Sequence, residues 1–136
     1  MRFADTNVLL YAISRDRNEE AKAARANEIL AAGEILLSVQ VLQEFYVQAT
    51  RRSRADALTS RQAADLVESF RRFPVVEVTA ELMLAAIATS ERFDISYWDA
   101  AIIEAGRLGG CELVLSEDLS DTTDYDGMRV QNPFRE

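Results

Sequence analysis

The chain has 136 residues, a formal net charge of −8 at pH 7 and a hydrophobic content of 49%. This length predicts one domain over residues 1–136, large enough to bury roughly two-thirds of the surface that the unfolded chain exposes. The negative charge argues against a protein that coats nucleic acid through a net basic surface, and the single cysteine, Cys111, excludes an internal disulfide.

Short aliphatic runs alternate with longer helical segments along the chain. A strand at Phe3 and Ala4 runs into Asp5 and then into a helical stretch that begins at Val8. The pattern then predicts helices over residues 18–32 (ending at Gly33), 39–52, from 59 or 60 to before Pro74, 80–92 and 96–108, and strands over residues 35–37, 75–78 and 113–115. Strands separated by helices of this length favour βαβ units, so we expect an α/β fold with a parallel sheet covered on both faces.

Nothing in the sequence suggests a membrane span or an export signal. The longest apolar run near the start, residues 8–13, is far too short to cross a bilayer. The N-terminus does not have the basic and then apolar layout of a signal peptide. We therefore expect a cytoplasmic protein that makes no membrane contact.

Positive charge is concentrated in two places, one at Arg51, Arg52 and Arg54 and the other at Arg71 and Arg72. Arginine is favourable near the C-terminus of a helix. These clusters are therefore interpreted as solvated helix ends in preference to RNA contacts.

Two absences limit the chemistry. The chain contains no histidine, which excludes histidine-based triads, histidine zinc sites and imidazole general bases. Neither GxGxxG nor GxxxxGK[ST] occurs, which excludes the phosphate-binding loops built on those motifs. Carboxylates are the abundant reactive groups that remain.

Four acids lie where a strand meets a helix or where a helix begins or passes: Asp5, Glu44, Asp99 and Asp118. Each has a purely structural interpretation. Asp5 is a good helix N-cap, and Glu44 lies at the flank of an apolar stripe, where a glutamate is ordinarily solvated. Asp99 follows Ser96 by three residues, as in a capping box, and Asp118 fits a turn. Singly, none of them establishes a site.

The joint placement of the four acids is more informative. In a parallel sheet, Asp5 and Asp118 leave strands at the same edge, where helices can bring Glu44 and Asp99 alongside them. Unit charges about 4 Å apart repel by on the order of 4 kcal/mol at an effective dielectric near 20, so such a cluster needs a cation or raised pKa values. Carboxylate oxygens suit Mg²⁺ or Mn²⁺, and such a site suits phosphoryl chemistry.

Several segments together resemble a known family. Residues 3–11 (FADTNVLLY), 42–45 (LQEF), 97–103 (YWDAAII) and 115–119 (LSEDL), in this order, are similar to a PIN domain. Within that family they most resemble the VapC-type toxins of bacterial toxin–antitoxin modules, and the closing residues 130–134 (VQNPF) resemble the ending of that subgroup. The resemblance implies a three-layer α/β fold with a short, mostly parallel sheet flanked by helices.

The resemblance also implies an activity and a set of site residues. The activity is that of a metal-dependent endoribonuclease that leaves a 5′-phosphate and a 3′-hydroxyl. Asp5 and Asp99 match acids that bind Mg²⁺ or Mn²⁺ directly, while Glu44 and Asp118 match acids that bind a second ion or orient the attacking water. Whether one or two ions operate is left open.

Two polar residues also belong to the candidate site, and the identity of its fourth acid is left open. Asn7 and Ser116 match polar residues that steady the site or the scissile phosphate. Three further acids, Asp121, Asp124 and Asp126, follow shortly after Asp118, and one of them could take its place as the fourth acid.

The same resemblance implies three partners: an RNA substrate, a second copy of the chain in a homodimer, and a cognate antitoxin. In this type of toxin, the antitoxin's tail enters the acidic site. The charge of −8 is consistent with attraction of a basic segment. The residues do not specify which RNA is cut.

Two alternatives remain open at this point. A HAD-like Mg²⁺-dependent phosphatase would use Asp5 as nucleophile, but such enzymes normally carry a second Asp two residues later, where this chain has Asn7. A non-catalytic binding module would keep the fold without the chemistry.

Overall fold

The computed structural model describes residues 1–135. Within them lie five strands, β1 (Arg2–Ala4), β2 (Ile35–Ser38), β3 (Val75–Val76), β4 (Leu113–Leu115) and β5 (Arg129–Gln131). The six helices are α1 (Thr6–Ala12), α2 (Glu20–Ala32), α3 (Val39–Ala49), α4 (Ser60–Phe70), α5 (Ala80–Phe93) and α6 (Tyr97–Leu108), and a 3₁₀ turn at Arg17–Glu19 precedes α2.

The five strands form one sheet in the order β3-β2-β1-β4-β5, and every neighbouring pair is parallel. The expectation of an α/β fold with a parallel sheet is therefore confirmed. The chain moves outward from β1 through β2 to β3 and then crosses to the other side of β1 to form β4. The order of the strands thus reverses between β1 and β4.

Helices lie on both sides of this sheet. Crossovers between parallel strands are right-handed, so the connections through α1 to α4 lie over one face and the connection through α5 and α6 over the other. The packing agrees with this, since α1 contacts α2 and α3, α3 contacts α4, and α5 packs along α6. The apolar core between these layers includes Phe3, Leu9, Leu37, Phe45 and Ile103, all fully buried.

Several helix ends were predicted correctly because their signals are local. Ser38 and Ser96 accept backbone hydrogen bonds as N-caps of α3 and α6. Gly33 ends α2 with a φ of 75°, a conformation that glycine adopts without steric cost. At the start of α4, Thr59 and Gln62 form a reciprocal capping box.

Several elements differ from the sequence-based expectation. Helix α1 begins at Thr6 and not at Val8, and α2 begins at Glu20 and not at residue 18. Helix α3 ends at Ala49 and not near residue 52, and the Thr50 hydroxyl donates to the Tyr46 carbonyl at 2.8 Å just beyond that end. Strand β3 covers two residues where four were predicted. Strand β5 was not predicted because only its middle residue, Val130, is buried.

Residues 1–135 contain no helix with both the length and the apolar character that crossing a bilayer requires.

The capping box gives a stability prediction. Thr59→Ala leaves the Gln62 backbone N–H without its 3.1 Å acceptor, so the free energy of unfolding should fall by about 1 kcal/mol. Thr59→Ser keeps the acceptor and should stay within a few tenths of a kcal/mol of wild type. Urea denaturation of the three proteins measures the difference, and equal losses in both variants would rule out the hydroxyl as the cause.

Candidate active site

The candidate site lies at the carboxyl ends of β1 and β4, where the strand order reverses. Crevices at such a point are where open α/β sheets bind ligands. The Asp5 backbone N–H donates to the Leu115 carbonyl at 3.0 Å, which ties the two strand ends together. Asp5 and Ser116 therefore leave the sheet side by side.

Asp5 has the structural role considered for it and also lines the candidate site. One carboxylate oxygen, Oδ1, accepts from the Thr6 backbone N–H at 2.7 Å and caps α1. The other, Oδ2, accepts from the Ser116 hydroxyl at 2.7 Å. Asp5 is only 8% exposed and Ser116 is fully buried, so both oxygens are fixed in direction.

Ser116 also organises the loop that follows β4. While its hydroxyl donates to Asp5, its oxygen accepts from the backbone N–H groups of Asp118 at 3.1 Å and Leu119 at 3.2 Å. Asn7 adds a second link, because its amide donates to Asp118 Oδ2 at 3.2 Å. Asn7 and Ser116 thus position the loop that carries the fourth candidate acid.

Glu44 reaches the site from the middle of α3. Its Oε2 accepts from the Thr6 hydroxyl at 2.8 Å, and its Oε1 accepts from the Gln40 amide at 2.9 Å. Gln40 precedes Glu44 by four residues and so lies on the same face of the helix. Glu44 is half-buried and directed towards the site.

Asp99 lies in the first turn of α6. Its backbone N–H donates to the Ser96 side chain at 3.0 Å, which is one of the two hydrogen bonds of the capping box considered for this position. Its own carboxylate interacts with the Ser96 side chain and lines the site. Asp99 is half-buried.

All four predicted acids line one cavity of about 100 Å³. These acids are Asp5, Glu44, Asp99 and Asp118. The rest of the lining comes from α1, α3 and α6, namely Thr6, Asn7, Leu10, Gln48, Trp98 and Ile102. The convergence expected from the parallel sheet is therefore present in the fold.

The electrostatics of the cavity follow from burial and like charge. Burial raises the pKa of Asp5 to about 6, with further contributions from the negative charges of Glu44 and Asp118 and against the hydrogen bonds from Ser116 and Thr6. Burial also raises the pKa of Asp99, helped by the charges of Asp118 and Glu44 and opposed by the hydrogen bond at Ser96. The charges of Glu44 and Asp118 thus disfavour the ionised forms of Asp5 and Asp99.

No protein cation relieves this repulsion in the part of the chain that the structure describes. None of the four acids forms an ion pair with a lysine or arginine there. Neighbouring Glu117 differs, since Lys22 lies 2.7 Å from its carboxylate and Tyr11 donates to it. Against the effect of burial, these two partners hold the pKa of Glu117 below its usual value.

The donor set fits a hard divalent cation, since four carboxylates converge without a cationic partner. The residues that would hold this cation are Asp5, Asp99, Glu44 and Asp118. Across residues 1–135, however, no three acidic or thiol side chains stand close enough together to hold an ion as they are placed.

The structure separates Asp118 from the alternative acids that follow it. Asp121 lies 2.6 Å from Arg135, and Asp124 accepts from the Gly127 backbone N–H. Asp126 lies 2.7 Å from Arg92. Only Asp118 of this group lines the carboxylate cavity.

Residues that the sequence did not single out also belong to this site. Thr6 and Gln40 orient Glu44, and Trp98 contributes to the cavity wall. The spacing of four residues between Gln40 and Glu44 was a readable signal. The contact between Thr6 and Glu44 could not be predicted from the sequence, because the two residues are 38 positions apart.

The comparison with family models finds that residues 2–120 match the PIN domain. Among curated protein sequences, none matches this chain significantly.

Solved structures give further matches. VapC20 from Mycobacterium tuberculosis, described as a Sarcin-Ricin loop cleaving toxin, is 23% identical with a TM-score of 0.67, over 87% of this chain and 92% of that one. A toxin–antitoxin complex from Klebsiella pneumoniae is 18% identical with a TM-score of 0.70, over 98% of each chain. VapBC2 from Rickettsia felis, bound to a promoter DNA fragment, is 14% identical with a TM-score of 0.64, over 96% of each chain. At these identities the likeness shows a shared fold.

The raised pKa of Asp5 predicts a pH dependence of stability. The folded state holds this proton up to about pH 6, whereas the ordinary pKa is 3.8. Unfolding therefore releases the proton in this window, and the free energy of unfolding falls as pH rises through it, by about 3 kcal/mol in total. Asp5→Asn lacks this dependence.

Urea denaturation of wild type and Asp5→Asn in EDTA, from pH 4 to pH 7, measures this effect. The stability of the variant relative to wild type should increase by about 2.4 kcal/mol across this range, because the unfolded chain is already partly ionised at pH 4. Parallel stability curves for the two proteins would contradict the buried, protonated Asp5.

Proposed function

The chain belongs to the PIN domain family, and on this premise we propose that it is a metal-dependent endoribonuclease and the toxin of a toxin–antitoxin pair. The observation that carries the proposal is the convergence of Asp5, Glu44, Asp99 and Asp118 on one cavity at the point where the strand order reverses. These acids lie among neutral hydrogen-bond donors, which orient them without cancelling their charge.

In the proposed site, Asp5 and Asp99 hold Mg²⁺, with Mn²⁺ as a substitute. Glu44 and Asp118 hold a second ion or orient the attacking water. A cation bound there supplies electrostatic stabilisation of the phosphate and lowers the pKa of a coordinated water.

The protein's own residues keep the acids in place for the reaction. Ser116 and the Thr6 backbone fix the two oxygens of Asp5, and the hydroxyl of Thr6 fixes Glu44. Water adds to the phosphorus of a phosphodiester and passes a proton to a carboxylate of the site. The bond from phosphorus to the 3′ oxygen breaks, and that oxygen takes up a proton from the carboxylic acid so formed or from solvent, which gives a 5′-phosphate and a 3′-hydroxyl.

The relatives support the remaining parts of the proposal. The M. tuberculosis protein is described as cleaving the Sarcin-Ricin loop, which favours RNA as the substrate class. Two of the structural relatives are toxin–antitoxin complexes, which favours a cognate antitoxin whose basic tail enters the acidic cavity. A single domain over residues 1–136, a homodimer and a cytoplasmic location complete the proposal.

One observation favours a different function for the same fold. No three of the acids stand within reach of a single ion in residues 1–135, as would suit a binding module without catalysis. The HAD-like alternative is weaker, because the Asn7 amide at the critical position donates to Asp118 and supplies no carboxylate.

RNA cleavage is the direct test. Purified protein with Mg²⁺ or Mn²⁺ should cut a mixed single-stranded RNA pool and leave 5′-phosphate ends, which end sequencing identifies. EDTA should abolish the cuts. Asp5→Asn should reduce them by at least about 100-fold, since even residues that only support metal ligands contribute 10- to 100-fold. Asparagine still caps α1, so the structural role of the residue is spared.

A matched pair of variants decides which acid is the fourth. Asp118→Asn should reduce cleavage, whereas Asp121→Asn, whose side chain pairs with Arg135, should leave it unchanged. Equal inactivity of wild type and Asp5→Asn on every RNA, structured RNAs included, would contradict the nuclease and favour the binding module.

Metal binding should also stabilise the folded protein. Mn²⁺ at 100 times its dissociation constant should add about 2.7 kcal/mol by mass action and raise the Tm by several degrees. Asp99→Asn should blunt this rise. Asp65→Asn, which alters an exposed acid on α4, is the control and should not. A Tm that is insensitive to millimolar Mn²⁺ in wild type would contradict a shared metal site.

A further inference from the structure

A second cavity, of about 480 Å³, adjoins the carboxylate cavity. The two share part of their lining, namely Glu44, Gln48 and Trp98. A volume of this size lies within the range of pockets that bind small organic groups. A molecule that fills one cavity can therefore extend directly into the other.

Two stripes of helix α3 form one wall of this second cavity. Gln40, Glu44 and Gln48 follow one another at intervals of four residues, and so do Gln43, Val47 and Arg51 just beyond the helix. Residues four apart lie on one face of a helix. The wall therefore presents three amide side chains, one aliphatic residue and one guanidinium around the shared carboxylate.

Trp98 forms the opposite part of the lining. It immediately precedes Asp99 in α6 and is 64% exposed. Its backbone carbonyl accepts from the Gln40 amide at 3.2 Å, and its ring meets the Tyr97 ring edge to face with centroids 4.9 Å apart. A large aromatic ring is thus anchored beside the candidate metal ligands while much of its surface stays accessible.

The polar groups of the wall differ in how fully they are already engaged. The Gln40 amide is committed to Glu44 and to the Trp98 carbonyl. Within residues 1–135, the side chains of Gln43 and Gln48 make no hydrogen bond, and Arg51 makes no ion pair. An amide offers both a donor and an acceptor, which is the pattern that the edge of a nucleobase also offers.

We propose that this second cavity is a nucleobase subsite, in which a base of the RNA substrate stacks on Trp98 and is read by Gln43 and Gln48. This inference rests on the proposed function, since the phosphate of the same or the next nucleotide lies at the carboxylates. Arg51 binds a neighbouring backbone phosphate. Proteins recognise unpaired RNA bases by this combination of aromatic stacking and hydrogen bonds to base edges.

The chain offers a direct readout, because Trp98 is its only tryptophan. The experiment titrates short RNA pentamers of each base, and an abasic pentamer of equal length, into Asp5→Asn protein, which keeps the RNA intact. At least one base-containing pentamer should give saturable quenching of tryptophan fluorescence, and the abasic pentamer should give none. Equal responses to all five probes, or no response to any, would overturn the subsite.

Variants in the same Asp5→Asn background test which group carries the binding. Fluorescence anisotropy of the labelled pentamer should show Trp98→Ala weakening binding by about 5- to 150-fold, the range for loss of one stacked base. Trp98→Phe should restore most of it. Leu108→Ala is the matched control, since Leu108 is 59% exposed on the same helix but does not line the cavity. Unchanged binding by Trp98→Ala would overturn the inference.

Two further measurements separate this inference from the proposed nuclease. If wild type cuts RNA, and Trp98→Ala without the Asp5 change cuts with the same KM and sequence preference, the subsite is wrong and the nuclease stands. If no RNA is cut but base-dependent quenching occurs, the nuclease fails and the nucleobase site stands. If the oligomeric state in solution, measured as molecular mass, differs between Trp98→Ala and wild type, Trp98 belongs to a contact between subunits. That result would overturn the subsite.

Discussion

Repulsion between carboxylates at the carboxyl ends of β1 and β4 is the constraint around which this site is built. Asp5 is almost fully buried there, and its pKa is raised to about 6. An ionised carboxylate in such a place is stable only with hydrogen bonds or a cation. The fold supplies two hydrogen bonds to Asp5, from Thr6 and Ser116, and the proposed Mg²⁺ supplies the charge.

The acids at and around the site are of two kinds. Glu117 is paired with a lysine, whereas the four cavity acids form no ion pair within residues 1–135. Glu117 is held by Lys22 and Tyr11, so it adds little negative potential although it is adjacent to Asp118. Within residues 1–135, the four cavity acids receive only neutral donors, from Ser, Thr, Asn and Gln side chains and from the Thr6 backbone. This difference favours a cation at the cavity over an internal ion-pair network.

Helix α3 connects the proposed chemistry to the proposed recognition. Glu44 lies in the lining of both cavities, and Gln40 bridges Glu44 to the Trp98 backbone. A base held at Trp98 would therefore fix the position of its phosphate relative to the acids. Placing the reacting groups in this way lowers the entropy cost of the reaction.

The sequence by itself determined the features that depend on near neighbours in the chain. Helices α3, α4 and α6 begin after Ser38, Thr59 and Ser96, whose side chains accept a hydrogen bond from the backbone N–H three residues later. Helix α2 ends at Gly33, which adopts a positive φ without steric cost. Alternation of short strands and long helices determined the α/β class with a parallel sheet. Asp5, Asp99 and Asp118 lie at strand ends or helix starts, which are readable positions, whereas Glu44 lies in the middle of a helix.

Only the tertiary structure decided what depends on strand order and long-range packing. Strand β5 gains its stability from pairing with β4, and its own three residues carry too weak a pattern to reveal it. That Asp118 lines the cavity while Asp121 and Asp124 do not depends on where the loop after β4 directs each side chain. The second cavity exists because α6 brings Trp98 into contact with Gln40 on α3, although 58 positions separate these two residues in the sequence. Such contacts are set by the crossover connections of the sheet, which no local pattern encodes.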